Sequence, residues 1–282
     1  MLSAEQVKQF RREGFCSVPD FLTSDELGVL LANMDWICAG ATLAHHDAGR
    51  MEMEPHQNPD GSRVRRIYEP CTYYPEFRSL SDSGKLLDCV AQLLGENLLF
   101  HYSKINMKPP AIGSVVEWHQ DLAYYPLTNP DSLAVLFYLD DADQNNGCLQ
   151  VIPGVHGKGI LNHSFEGFFS GQVTERVDAT SAVAIEGRAG TAIFLHGVTP
   201  HASAPNTSPH SRRTLILSYR AADAYPVHLG ETTLHAESHV RLVRGEQLSR
   251  ARFGVLDMPI PRYKGVPKSL YDLQQQFREQ RT

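Results

Sequence analysis

"LAVLFYLDDADQNNGCLQVIPG" spans residues 133–154. It opens on an apolar run, Leu133 to Leu139, that stops at Asp140 and Asp141. Asn146–Gly147 follows, a pair that favours the left-handed backbone of a tight turn. Apolar texture then resumes at Cys148 and ends at Pro153–Gly154. Two short β-type runs around a turn are the simplest reading.

The same texture extends outward in both directions. "LLFHYSKINMKP", "VEWHQDLAYY", "AVAIEGRAGTAIFLHG" and "TLILSYRAA" are further short β-type runs, separated by Gly, Pro, Asn and Asp. Many short strands at regular spacing point to a sandwich or barrel of jelly-roll type. The sequence therefore predicts a mainly β protein with flanking helices around a double-stranded β-helix (jelly-roll, cupin-like) core.

The first hundred residues read differently. Ser3 with Gln6, and Thr23 with Glu26, are capping-box pairs that open two helices. Leu27, Leu30, Leu31 and Met34 form an apolar stripe on the second helix, and Gly95 stops a third, "SGKLLDCVAQLLGEN". Residues 40–75 are polar and rich in turn formers, which predicts a long loop. After about 230 the pattern suggests a polar helical piece, a Pro-rich loop and a terminal helix, "SLYDLQQQFREQ". No repeat or linker interrupts the chain. One domain over 1–282 is expected, with helical support over about 1–97, the core over about 98–222 and an extension over about 223–282.

Composition narrows the function classes. Hydrophobic residues make up 42% of the 282 and the formal net charge is −6. A dominant nucleic-acid role, which needs a basic face, is disfavoured, and so is a polybasic membrane anchor. No apolar run reaches membrane-spanning length. The five cysteines (Cys16, Cys38, Cys71, Cys89, Cys148) show no CxxC spacing and read as buried apolar residues in a reduced compartment. A cytoplasmic protein is expected; monomer and homodimer are equally compatible with the sequence.

The chemistry concentrates in "WHQD" and "HGVTPHASAPNTSPHSRR". On a strand, residues two apart share a face, so His119 and Asp121 would point together and Gln120 away. That is the geometry of two ligands of a 2-His-1-carboxylate iron site. HxD alone is a weak signal, since such a pair also occurs as an ordinary buried polar pair. A third ligand is needed, and both His196 and His201 lie near a predicted strand end. Arg212 and Arg213 begin the next strand, and an Arg fork is suited to a carboxylate.

In order along the chain, "WHQD", "LDDADQNNGCLQVIPGVHG" and "HASAPNTSPHSRR" resemble the phytanoyl-CoA dioxygenase family of iron(II)- and 2-oxoglutarate-dependent oxygenases. The resemblance covers most of the chain. It implies iron(II), 2-oxoglutarate and O2 as cofactor and cosubstrates, and a small-molecule substrate. In that family the second iron histidine is followed by Asn five and Arg eleven residues on. His201, with Asn206 and Arg212, fits that spacing. The resemblance thus implies His119, Asp121 and His201 as metal ligands and catalytic centre. It implies Arg212, Ser203 and Asn106 as the 2-oxoglutarate contacts. "HASA" stands where the family has "HGSG", and "PGVH" where it has "PGSH"; neither change touches a ligand. Halogenating members carry a small residue at the carboxylate position, so Asp121 implies hydroxylation, or a related desaturation or cyclisation.

For the substrate pocket, Tyr125 shares the expected face of His119 and Asp121, and Phe137 and Arg66 are further candidates. For Arg63, Arg65 and Arg66, at the edge of the long loop, a solvated or structural role is otherwise expected. Arg213 is expected to face solvent, His196 to sit at a strand end, and Asp140 and Asp141 to be structural. Two other function classes remain open at this level. One is a non-catalytic jelly-roll that binds a metabolite or partner. The other is a zinc enzyme using the same His/Asp/His set, in which Arg212 has no evident use.

Overall fold

The structure, a computed structural model, describes residues 1–111, 114–227, 237–254, 257–265 and 269–281. Its helical support forms where the capping pairs predict. Helix α1 (Ala4–Glu13) starts at a complete Ser3/Gln6 capping box and ends at Gly14 in the left-handed region, φ +82°. Helix α2 (Ser24–Cys38) starts at the Thr23/Glu26 box. Two short helices, α3 (Pro70–Tyr73) and α4 (Pro75–Ser81), lead into α5 (Gly84–Leu94), which stops at Gly95.

Two antiparallel sheets follow. The larger contains β1 (Phe15–Val18), β2 (Met51–Met53), β3 (Val64–Tyr68), β4 (Leu98–Lys108), β6 (Ser132–Tyr138), β11 (Ala192–His196), β13 (Arg212–Ala221) and β14 (Arg241–Arg244). Their order is β1-β11-β6-β13-β4-β3-β2, with β14 also on β4. The smaller contains β5 (Val116–His119), β7 (Leu149–Val151), β10 (Val183–Ile185) and β12 (His201–Ser203), in the order β10-β7-β12-β5. A hairpin of β8 (Ser164–Phe165) and β9 (Phe168–Phe169) stands apart. Non-sequential neighbours in two facing sheets are the jelly-roll pattern expected from the sequence.

The large sheet is buried on both faces. Leu133, Val135 and Phe137 pack among the helices with Phe77, Leu86 and Phe194. Ala134, Leu136 and Tyr138 point the other way, onto Leu149, Val151 and Ile185 of the small sheet. This corrects the expectation for Phe137. Its ring lies 5.7 Å from that of Phe21, in the helix-facing core, and not in the substrate cavity. A strand buried on both faces reads as one apolar run, and such a run does not reveal which parity faces the cavity.

Residues 40–75 are not one long loop. They contribute β2, β3 and α3, and β3 pairs with β4 (Arg66 opposite Asn106, Tyr68 opposite Lys104). The helical piece expected from about 230 falls partly on 230–236, outside the described residues; where the chain is described again it makes one helical turn, Glu237–His239, and then strand β14. The terminal helix α6 (Leu270–Arg281) forms as expected. Its buried Gln274 accepts from Glu117 N at 3.1 Å and donates to Gly171 O at 2.8 Å, which seats the helix over the mouth between the sheets. All five cysteines are unpaired, and four are buried.

Candidate metal centre

His119 ends β5 and His201 begins β12, and the two residues are direct partners across the small sheet. Their rings lie 4.1 Å apart between centroids. Asp121 is not on the strand, as HxD alternation assumed, but in the single helical turn Asp121–Ala123 that follows it. The turn still swings its carboxylate back, placing Oδ1 3.9 Å from Nε2 of both histidines. Among the described residues this is the one group of three or more His, Cys, Asp or Glu that could hold a metal, with ligand atoms all within 4.8 Å.

Backbone contacts fix both tautomers. His119 Nδ1 lies 2.8 Å from Glu117 O, and His201 Nδ1 lies 3.0 Å from Thr199 O. A carbonyl only accepts, so each Nδ1 carries the proton and each Nε2 turns a lone pair toward Asp121. Burial pushes the pKa of His119 well below the usual imidazole value, and the neighbouring His201 adds to it. Burial also lowers His201, against the pull of Asp121. Two neutral imidazoles and one carboxylate, open on the cavity side, fit iron(II) and leave coordination positions for a cosubstrate.

Gln120 points away from the pair, as expected, and ties down the strand end. Its side chain donates to Val198 O (2.7 Å) and Gly159 O (3.0 Å) and accepts from Leu161 N (2.7 Å). Its backbone N–H donates to His163 Nε2 at 3.1 Å.

Deeper between the sheets, the same cavity is lined by Asn106, Ser203 and Arg212. Arg212 is buried, and donates from Nη1 to Thr214 Oγ1 and from Nη2 to Gly147 O, both at 2.8 Å. Its Nε has no partner, and it forms no ion pair among the described residues. A buried guanidinium without a counter-ion is costly, so the donor set here fits an anionic cosubstrate.

The "NNGCL" turn explains itself at this point. Asn146 accepts from Asp143 N and donates to Asp141 O, holding the turn. Gly147 then adopts φ +76° and presents its carbonyl to Arg212; a Cβ there would lie 2.3 Å from Ala204 O. Asn206 serves the loop rather than the cavity: its Nδ2 donates to Lys108 O, Pro109 O and His210 O.

Several sequence expectations need revising. Of the two roles expected for the loop-edge arginines, solvated or structural, Arg63 is exposed and Arg65 is structural, buried and paired with Glu52 and Glu54; β3 carries Arg65 and Arg66 into the sheet under Tyr271 of α6. Arg213 does not simply face solvent but donates twice to Asp140, at 2.8 and 2.6 Å. His196 ends β11 and accepts from Val198 N, away from the triad. Tyr124 and Tyr125 both reach the outer cavity, because a helical turn and not a strand carries them. Sequence reasoning missed Lys104, Tyr271 and Gly147. Only Gly147 had a usable signal, the turn pair itself.

The family model described as Phytanoyl-CoA dioxygenase (PhyH) matches residues 10–214. The chain is 34% identical over 231 residues to a probable alpha-ketoglutarate-dependent hypophosphite dioxygenase of Stutzerimonas stutzeri, covering 79% of this chain and 80% of the relative. It is 27% identical over 265 residues to a methylphosphonate hydroxylase of Gimesia maris, covering 91% and 96%. Among solved structures, EctD from S. alaskensis with bound Fe is similar at TM-score 0.64 and 26% identity, covering 78% of this chain and 77% of that one.

Proposed function

The chain belongs to the phytanoyl-CoA dioxygenase family and is an iron(II)- and 2-oxoglutarate-dependent oxygenase, and on that premise we propose how its residues divide the work. His119, Asp121 and His201 hold the iron. Arg212 and Ser203 hold the far carboxylate of 2-oxoglutarate, and Asn106 lines the same pocket. Tyr125 and Arg66 line the substrate side, where Tyr124 joins them. The observation that carries this reading is the buried, uncompensated Arg212 in one cavity with the His–Asp–His set.

Iron with 2-oxoglutarate and O2 supplies oxidation of the cosubstrate to succinate and carbon dioxide, coupled to hydroxylation of a small molecule. The chain's own residues position and protect. The Nδ1–H bonds to Glu117 O and Thr199 O keep both imidazoles aimed at one point. Thr214 and the Gly147 carbonyl hold the Arg212 fork in place before any ligand arrives. Helix α6, clipped by Gln274, shields the cavity from water.

The matched relatives are named for hypophosphite and methylphosphonate, both small molecules. We read 1–282 as one oxygenase domain, because α6 completes the cavity of the β core. The unpaired thiols support a reducing, cytoplasmic setting. Among the described residues, no helix is long and apolar enough to cross a membrane. The direct test is succinate release from 2-oxoglutarate. It should require iron(II) and O2, and His119→Ala and His201→Ala should abolish it. Iron-independent turnover, or full activity in both variants, would sink the assignment.

A further inference from the structure

The cavity has an outer half, on the α6 side of His119 and Asp121, and two cations line it. Arg66 projects from β3 and Lys104 from β4. The register pairs Arg66 with Asn106 and Tyr68 with Lys104, so the two cations are diagonal neighbours on adjacent strands. Like charges so placed repel each other and destabilise the sheet unless something stands between them.

Among the described residues neither cation forms an ion pair, and Arg66 meets only the Tyr68 and Tyr271 rings and Asn106. Arg66 spends its Nε on Asn106 Oδ1 at 2.9 Å, while its Nη2 is buried without a partner. The ammonium of Lys104 makes no hydrogen bond or ion pair among the described residues; its Nζ lies 5.3 Å from the centroid of the Tyr102 ring. The carboxylates nearby are occupied. Glu52 accepts from Arg65 and from Tyr68 OH, and Glu69 accepts from Ser103 N, so each acts on the two cations only through space. Asp121 is committed to the metal. Burial pulls the Lys104 ammonium down to about 8, against the opposite pull of Asp121 and Glu69.

Charge counting sharpens the point. Iron(II), Asp121, dianionic 2-oxoglutarate and Arg212 together sum to zero, so Arg66 and Lys104 are left over as two positive charges beside the reactive position. Tyr102, Tyr124 and Tyr125 wall the same space.

We propose that Arg66 and Lys104 form an oxyanion-binding subsite that recognises the substrate, which is a small organic acid held by its anionic group with the bond to be oxidised turned toward the iron. The inference rests on the metal-site reading above and names the substrate class for it. Phosphonates and carboxylates share the required chemistry.

The test is anaerobic calorimetry on the iron(II)-loaded enzyme at saturating 2-oxoglutarate, so that the Arg212 pocket is filled. The probes are propylphosphonate and butanoate, with butanamide and butylamine as neutral and cationic counterparts. At least one acid should bind tenfold or more tighter than both counterparts. Lys104→Gln should remove that preference, and Lys104→Arg should restore most of it, while the visible iron–2-oxoglutarate band stays intact in both. Tighter phosphonate than butanoate assigns a tetrahedral anion, and the reverse assigns a carboxylate. An intact band with no acid preference, or a preference untouched by Lys104→Gln, overturns this inference alone. Absence of the band in the unaltered enzyme overturns the metal-site reading and this inference with it.

Discussion

Replacing Arg212 by Met separates ligand binding from folding. In the ligand-free protein the guanidinium is buried, makes two hydrogen bonds at 2.8 Å and has no counter-ion among the described residues. Those bonds contribute about 1 kcal/mol each. A buried ion without a partner costs several kcal/mol. The two effects oppose, so Arg212→Met should change ligand-free stability by no more than about 2 kcal/mol, with a rise as acceptable as a fall. Binding behaves differently. Removing one partner of a buried hydrogen-bonded charge pair costs about 2–5 kcal/mol, which weakens 2-oxoglutarate by about thirtyfold to a few thousandfold. Arg212→Lys keeps the charge but loses the two-point fork, and should fall between the two proteins. The assay is thermal melting with iron(II), anaerobically, over a 2-oxoglutarate series. At one hundred times its Kd the ligand adds about 2.7 kcal/mol to the unaltered protein, and this gain should fall to about 0.9 kcal/mol or less in Arg212→Met at the same concentration. Binding within threefold of the unaltered protein, or collapse of the ligand-free fold, refutes the assigned role.

Three further outcomes follow from single contacts. Gly147→Ala forces a Cβ to 2.3 Å from Ala204 O at φ +76°; it should cost at least about 2 kcal/mol in urea melts and also weaken 2-oxoglutarate, since the displaced carbonyl holds Arg212. Gln120→Leu strands Val198 O, Gly159 O and Leu161 N; about 3 kcal/mol or more of stability should be lost, with a measurable fall in iron affinity because the end of β5 loosens. Burial lowers His101 to about 3 and His163 to about 4. Both folded values lie below the unfolded value of about 6.5, so their stabilising effect is full above that pH and is lost as pH falls toward 4. Urea melts at pH 5 should show about 2 kcal/mol less stability per histidine than at pH 7.5, and a flat profile contradicts their buried, neutral state.

The sequence was most legible where the physics is local. Ser3/Gln6 and Thr23/Glu26 each satisfy helix-end donors within one turn, and both form as read. The His119–Asp121 pair was legible from its spacing, but the choice of His201 over His196 came only from the resemblance to the phytanoyl-CoA dioxygenase family. The pair was read through a partly wrong geometry, since Asp121 leaves the strand and the convergence comes from a turn. Arg66 could not be placed from its neighbours. Its burial depends on β3 pairing with β4 and on Tyr271, contributed from the far end of the chain. Lys104 was overlooked for the same reason: "YSKIN" reads as an ordinary strand until Arg66 arrives beside it. Phe137 was assigned to the wrong face because Leu133 to Leu139 is apolar throughout.

The central claim is tested most directly by anaerobic titration of the purified chain with iron(II) and then 2-oxoglutarate, followed in the visible range. A weak charge-transfer band should grow to one equivalent of each. It should be absent in His201→Ala, and in Arg212→Met it should appear only at much higher 2-oxoglutarate. No band in the unaltered protein, or an unchanged band in His201→Ala, would contradict the site built from His119, Asp121, His201 and Arg212.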